Sequence, residues 1–257
     1  MITYKGRFSI TIGDCWYAAS SGPPAADIVH YYHLPEPLEG AVNQEFSTIW
    51  IDLAQPEDQL MAGMNKSTRH HVRKASEYGL IYDAWYPDTA TVLDEFASFF
   101  DASASAKSMP LVNRESLRVY AAAGVLDLSR VSDREGRPLV WHGHYRDSRH
   151  ARQTHTASIF RLQPDPEFRN FLGRANRYSC WQDIRRFKRA GVLTYDFGGW
   201  YPGTEDQELL AVNFFKEGFG GRIVKTFHAT RGETPKGRLY LAAARLRQRF
   251  GRRGRHG

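Results

Sequence analysis

From Leu80 onward the chain alternates extended and helical segments in an order that few folds accept. "LIYDAWY" reads as a strand, and two helices follow it, "TATVLDEFASFFDASASA" and "NRESLRVYAAAG". Three extended runs come next in succession, "VLDLSRVS", "PLVWHGHYR" and "ARQTHTASIF", the first two joined by the hairpin turn "DREG". A long helix, "DPEFRNFLGRANRYSCWQDIRRFKRAG", then leads to strand "VLTYDFGG", helix "DQELLAVNFFKEGFGG" and strand "RIVKTFHAT". This order predicts an α/β layer around a mixed, mostly antiparallel sheet flanked by helices.

Upstream of Leu80 the extended segments are "RFSITI", "IVHYYHL" and "STIWIDL". "QPEDQLMAGMNKSTRHHVRKASEYG" reads as one helix, with acids in its first turn and Gly79 as its stop. The expected organisation has three parts. Residues 1–79 form an N-terminal extension or partial subdomain, 80–235 the main α/β domain, and 236–257 a basic helix and tail. No apolar run is long enough to span a bilayer, and the first residues lack the apolar core of a signal peptide. Cys15 and Cys180 supply no disulfide or metal framework, so a reduced, cytoplasmic protein is expected.

Asp196-Phe197-Gly198, inside "YDFGGW", matches the magnesium-binding tripeptide of protein kinases. A kinase also needs a glycine-rich Gly-x-Gly-x-x-Gly turn and a His-Arg-Asp loop upstream, and the sequence has neither. The tripeptide therefore has another role.

Three blocks, in order, carry a resemblance: "NKSTRHHVRKASEYGL" (65–80), "GRANRYSCWQDIRRFKRAGVLTYDFGGW" (173–200) and "NFFKEGFGG" (213–221). Together they resemble the FemABX-like family of peptidyl and aminoacyl transferases, built on GNAT-type acyltransferase domains. The resemblance implies a GNAT-type fold, and amide formation in which the amine of a peptide-like acceptor attacks the ester of an aminoacyl-tRNA. It implies no cofactor beyond that donor. It also places the family's Phe-Lys pair at Phe215 and Lys216. Members acting on peptidoglycan precursors usually have two complete domains and often a coiled-coil arm. This chain has about one and a half domains and no heptad run, so a smaller peptide or natural-product intermediate is a plausible acceptor.

Aminolysis of an ester requires an aligned neutral amine, a stabilised oxyanion and exclusion of water, but no covalent nucleophile. Lys216, before the turn "EGFGG", is the candidate for the oxyanion or a ligand phosphate, with Phe215 shaping the site. Asp196 ends a strand expected to be central, where a carboxylate serves either as a base or as a strut for the following loop. Beside it, Tyr195, Gly198, Gly199 and Trp200 are candidate substrate contacts, the glycines allowing close approach. Arg69 and Arg73, four apart on one helix with Lys74 beside them, suit a phosphate clamp or a solvated basic face. Arg174, Arg177 and Trp181 form a similar stripe, suited to an RNA 3′ end or, for the aromatic, to the core.

His142, His144 and His155 invite a metal reading, but without a carboxylate or cysteine at ligand spacing they are expected to be polar residues on an exposed strand face. The arginine-rich end, Lys236 to Arg255 without an acid, suits a polyanion or a solvated helix equally. Two rival functions remain. One is an acyl-CoA-dependent N-acyltransferase, for which "NFLGRA" (170–175) partly matches the pyrophosphate-cradling turn. The other is a basic RNA-binding module that is not an enzyme.

Overall fold

Four helices begin where a side chain can accept the first, otherwise orphaned, N–H groups. Asn65 caps α2 (Lys66–Ser76) by accepting from Thr68 N at 2.7 Å, and Asn113 caps α4 (Arg114–Ala122) through Ser116 N at 3.0 Å. Asp165 caps α5 (Pro166–Arg189), with Pro166 in the first turn, and Asp206 caps α6 (Gln207–Glu217) through Leu209 N. The Asn65 cap corrects the expectation of one helix over 55–79. A separate helix α1 (Glu57–Gly63) ends first, the chain is extended at Met64 and Asn65, and α2 starts afresh.

The computed structural model describes residues 2–5, 9–17, 26–86 and 90–253, and the side chains of all of these except 2–5 and 245–253. The chain divides into two units. One is continuous, Thr48–Val224; the other joins Met1–Ser47 to Lys225–Gly257.

The continuous unit holds the end of β4 (Val42–Asp52), β5 (Ile81–Trp85), β6 (Leu126–Ser132), β7 (Pro138–Arg146), β8 (His150–Ser158) and β9 (Thr194–Gly199). Their order across the sheet is β4-β9-β8-β7-β6-β5. All neighbours are antiparallel except β8 and β9, which run parallel with α5 as their crossover. The "DREG" turn joins β6 and β7 as expected, Arg137 N donating to Asp133 Oδ1 at 2.8 Å. The fold class is the one expected: α/β, GNAT-type, with a mixed and mostly antiparallel sheet between helices.

Alternation along β7 assigns the two faces of this sheet. Trp141 and Tyr145 point to the side of α3 (Ala90–Ser105) and α4, meeting Phe96 at 5.8 Å and Tyr120 at 3.9 Å between ring centres. His142 and His144 point to the side of α5, where Trp181, Ile184 and Phe187 join Ile49, Ile51, Tyr195, Phe197 and Phe219 in the main core.

The discontinuous unit contains β1 (Ile2–Lys5), β2 (Thr11–Trp16), β3 (Ile28–Leu34), the larger part of β10 (Arg222–Gly232) and α7 (Pro235–Arg253). β2 and β3 are parallel, while β1 with β2 and β3 with β10 are antiparallel. Val29, Tyr31, Leu34 and Ala229 form its core. Of the basic tail, the side chains of Arg245, Arg247, Arg249, Arg252 and Arg253 and all of Arg255 lie outside the described residues. No helix among the described residues is long and apolar enough to cross a membrane.

Candidate active site

Pairing between the parallel strands β8 and β9 runs from His150↔Thr194 to Arg152↔Asp196 and stops there, although both strands continue. Past that point β9 turns at Gly198, whose φ of +75° belongs to the left-handed region; a Cβ here would stand 3.0 Å from the Gln153 carbonyl oxygen. Asp196 holds this turn. Its Oδ1 accepts the Gly198 N–H at 2.7 Å and a short hydrogen bond from the Thr48 hydroxyl. The same hydroxyl lies 2.8 Å from the Gly198 carbonyl, so both ends of the turn are tied to Thr48 and Asp196. Asp196 is fully buried, and so is Tyr195, whose hydroxyl meets His144 Nε2 at 3.1 Å and whose ring packs on Phe197.

Helix α6 delivers Lys216 and Phe215 to the outside of this turn. Asn213 staples the helix to the segment after β9, accepting from Tyr201 N at 2.9 Å and donating to Tyr201 O at 2.7 Å. Trp200 Nε1 donates to Glu217 at 2.6 Å. The Lys216 ammonium then donates to the Gly199 carbonyl at 2.5 Å. Burial pulls its pKa down to about 8; Asp196 opposes that shift and Arg152 adds to it. At neutral pH the group is a cation with two of its three N–H vectors left over.

The helix ends in a glycine turn that binds the three sequence blocks together. Gly218 O accepts from Asn65 N at 3.0 Å, joining the turn to the start of α2. Gly220, at φ +81°, lies so close to Gly63 that a Cβ would overlap the Gly63 carbonyl. Phe215 packs on Phe219 and is covered by the Arg177 guanidinium, 4.8 Å above its ring.

The other candidates divide. Arg69 Nη1 donates to the Ala62 and Met64 carbonyls, closing the break between α1 and α2 rather than reaching towards Arg73. Lys74 pairs with Glu77 at 2.8 Å. Arg73 lines a separate hollow of about 440 Å³, shared with Glu57, Met61, Tyr178, Trp181 and Arg185; Trp181 is otherwise part of the core. Arg174 donates to the Tyr78 hydroxyl at 2.6 Å. Lys216, Phe215, Gly198, Gly199, Trp200 and Arg177 are thus the ones that converge, with Asp196 beneath them.

Two neighbours carry no signal in the sequence. Thr48 has none beyond its place in a strand. Arg152 sits in a strand of alternating polar residues that hides its position beside the Gly198 turn.

The histidine expectation is corrected. His142 and His144 are completely buried rather than exposed, and a carboxylate does meet them, Asp183 of α5. His142 Nδ1 lies 2.7 Å from Asp183 Oδ2 and Nε2 lies 2.9 Å from Asn176 Oδ1, while Tyr82 donates to Asp183 Oδ1 at 2.7 Å. Arg186 adds a donor to Tyr82 and a two-point ion pair to Asp127. The ring nitrogens facing the carboxylate are engaged in this hydrogen-bonded network. Burial lowers His144 to about 3 and keeps it neutral. His155 lies on the opposite face against Phe96 and Phe100, where burial lowers it to about 4.

No family model matches the sequence, and no curated protein does. Solved structures do. FemX superposes with a TM-score of 0.60 at 14% identity, over 76% of this chain and 63% of FemX. The fold is that of FemX. The C-terminal domain of an Agrobacterium fabrum protein assigned as a lysylphosphatidylglycerol synthetase gives 0.54 at 11% identity, over 85% of this chain and 72% of that one. L-PGS from Bacillus licheniformis gives 0.50 at 14%, over 86% and 73%. The resemblance to FemABX-like proteins read from three sequence blocks therefore holds at the level of the fold, and the chain spans under two thirds of FemX itself.

Proposed function

We propose that this protein is an aminoacyltransferase that forms an amide on a peptide-like acceptor with aminoacyl-tRNA as donor. The acceptor amine attacks the ester carbonyl, the C–N bond forms, the C–O bond to the ribose breaks, and the amine proton leaves with the ribose oxygen. The observation that carries the reading is the Lys216 ammonium at the mouth of the β9 turn, half-buried and with donors to spare. A cation there stabilises the oxyanion of the tetrahedral intermediate without a covalent step.

Both thiols, Cys15 and Cys180, are buried and burial raises the pKa of each, which supports direct transfer. Cys180 is completely buried beside Gln153, and burial pushes its pKa above the ordinary thiol range, so it stays protonated. Asp196 acts through the turn rather than on the substrate, since its Oδ1 already serves Gly198 and Thr48. Phe215 and Trp200 wall the site.

One feature speaks against acyl-CoA. The "NFLGRA" segment lies inside α5, one turn past its start, where its N–H groups belong to the helix. The true N-terminus is filled by Asp165, which accepts from Glu167 N and Phe168 N, each at 3.1 Å, with Glu167 adding a second carboxylate. A pyrophosphate would meet two acids at the place where the helix dipole should attract it.

The test is single-turnover transfer of a labelled amino acid from charged tRNA to a panel of short peptides. Lys216→Met should slow transfer by about 10²- to 10³-fold, the usual loss of one oxyanion donor. Transfer that survives RNase and depends on acyl-CoA refutes the donor, and full activity in Lys216→Met refutes the residue assignment.

A further inference from the structure

Helices α1, α2 and α5 wall a hollow of about 440 Å³, and the transfer chemistry uses none of it. That volume is in the range of small-molecule sites, which combine an apolar lining with a few polar groups that fix orientation. Here the apolar lining is Met61, Val72, Tyr178 and Trp181. Trp181 is only 5% exposed, yet its indole N–H donates to no described residue. A buried indole N–H ordinarily has an acceptor, and the wall of this hollow holds one without.

The charges around the hollow are of both signs and cancel. Arg185 Nε pairs with Glu57 Oε1 at 2.6 Å, so these two neutralise each other. The other two, Asp58 of α1 and Arg73 of α2, are exposed and form no ion pair with a described residue. Arg69, the expected partner of Arg73 in a phosphate clamp, is tied to the Ala62 and Met64 carbonyls instead. Arg73 is left as a single guanidinium, whose fork matches one carboxylate. A nucleotide or pyrophosphate would meet the carboxylates of Glu57 and Asp58 here, and a purely apolar ligand would answer neither Asp58 nor Arg73. A molecule with an ammonium, a carboxylate and an apolar body answers all of these features.

We propose that the hollow binds a free α-amino acid with a large apolar side chain. Asp58 takes the ammonium, Arg73 takes the carboxylate, and the side chain lies on Met61, Val72, Tyr178 and Trp181. Such a site binds whether or not the protein transfers aminoacyl groups.

The experiment is therefore direct binding, with no transfer reaction involved. L-phenylalanine, L-phenylalaninamide, N-acetyl-L-phenylalanine, glycine and adenosine triphosphate are each titrated into the protein. Binding is followed by calorimetry and by the ¹H–¹⁵N signal of the Trp181 indole, assigned with Trp181→Phe. L-phenylalanine should shift that signal, and glycine and the nucleotide should not. The amide lacks the carboxylate and the N-acetyl compound lacks the ammonium, so each should bind about tenfold more weakly, the worth of one charge-assisted contact. Asp58→Asn and Arg73→Gln should each weaken L-phenylalanine by about tenfold, and both positions are exposed, so the fold tolerates the change. Arg73→Gln should also bind L-phenylalanine and its amide alike, since the contact that separates them is gone. No heat and an unmoved Trp181 signal at millimolar L-phenylalanine, or variants that bind as tightly as the parent, overturn the site. An N-acetyl compound that binds as well as L-phenylalanine would mark a peptide C-terminus and overturn the free amino acid. Binding of the nucleotide in its place would overturn the charge assignment.

Discussion

Asp196 separates two mechanisms, and paired substitutions tell them apart. As a strut, its Oδ1 accepts the Gly198 N–H and the Thr48 hydroxyl. In Asp196→Asn the amide oxygen can take the same two donors, so the loss is the difference between charge-assisted and neutral hydrogen bonds, about 1 kcal/mol. In Asp196→Ala the Thr48 hydroxyl turns to its second acceptor, the Gly198 carbonyl at 2.8 Å, and the Gly198 N–H is stranded. That costs about 1–3 kcal/mol, partly offset because no carboxylate need then be buried, giving about 2 kcal/mol. For a chain of this size the melting temperature should fall by roughly 2–4 °C in the asparagine variant and 4–8 °C in the alanine variant. Single-turnover transfer by Asp196→Asn should stay within about tenfold of the parent, whereas loss of a general base costs about 10²- to 10⁴-fold. An asparagine variant that melts within a few degrees of the parent yet loses transfer a hundredfold would refute the strut and make Asp196 the base.

Four further outcomes are expected. Transfer should fall as pH rises through about 8, where Lys216 loses its charge; the falling limb should vanish in Lys216→Met, and a rate flat to pH 9.5 would contradict it. Because the folded pKa of Lys216 lies below its unfolded value of 10.5, burial of the cation costs stability below pH 8 and the cost disappears between 8 and 10.5. Lys216→Met should therefore melt higher than the parent at pH 7, and an unchanged or lower melting temperature argues against a buried cation. Gly220→Ala should cost more than the ~1–2 kcal/mol of left-handed strain because its Cβ overlaps Gly63, while Gly136→Ala, at the same φ with open space, should cost the strain alone; equal urea midpoints would show that the turn can yield. Asp183→Ala should lower the unfolding free energy by about 3–5 kcal/mol, as removal of one member of a buried ionic network does, and a change under 1 kcal/mol would mean that His142 and Tyr82 find other partners.

The elements of the continuous unit were legible because each strand and helix carries its own periodicity and most helices carry their own cap. Where two local signals competed, the reading went astray. The apolar spacing from Leu60 to Ala75 runs on through Asn65, so the cap that restarts the helix was outweighed by the period. His142 and His144 looked like a polar face because alternation alone cannot tell which side of a strand another element covers; Asp183, 41 positions beyond His142, supplies the buried partner. The joining of Ile28–Leu34 to Phe227–Gly232 depends on pairing between opposite ends of the chain, which no local pattern reports. In the candidate site, Lys216 and the glycine turns stood out as residues, but Thr48 and Arg152 owe their places to sheet register.

The carboxylate at the start of α5 has a consequence for donor choice. Asp165 is covalently attached to the helix whose N–H groups it fills, so it acts as a tethered ligand with an effective concentration in the millimolar range or above. Any nucleotide pyrophosphate arriving there must outcompete an anion that cannot diffuse away. Asp165→Gly with Glu167→Gln would empty that helix start of both carboxylates.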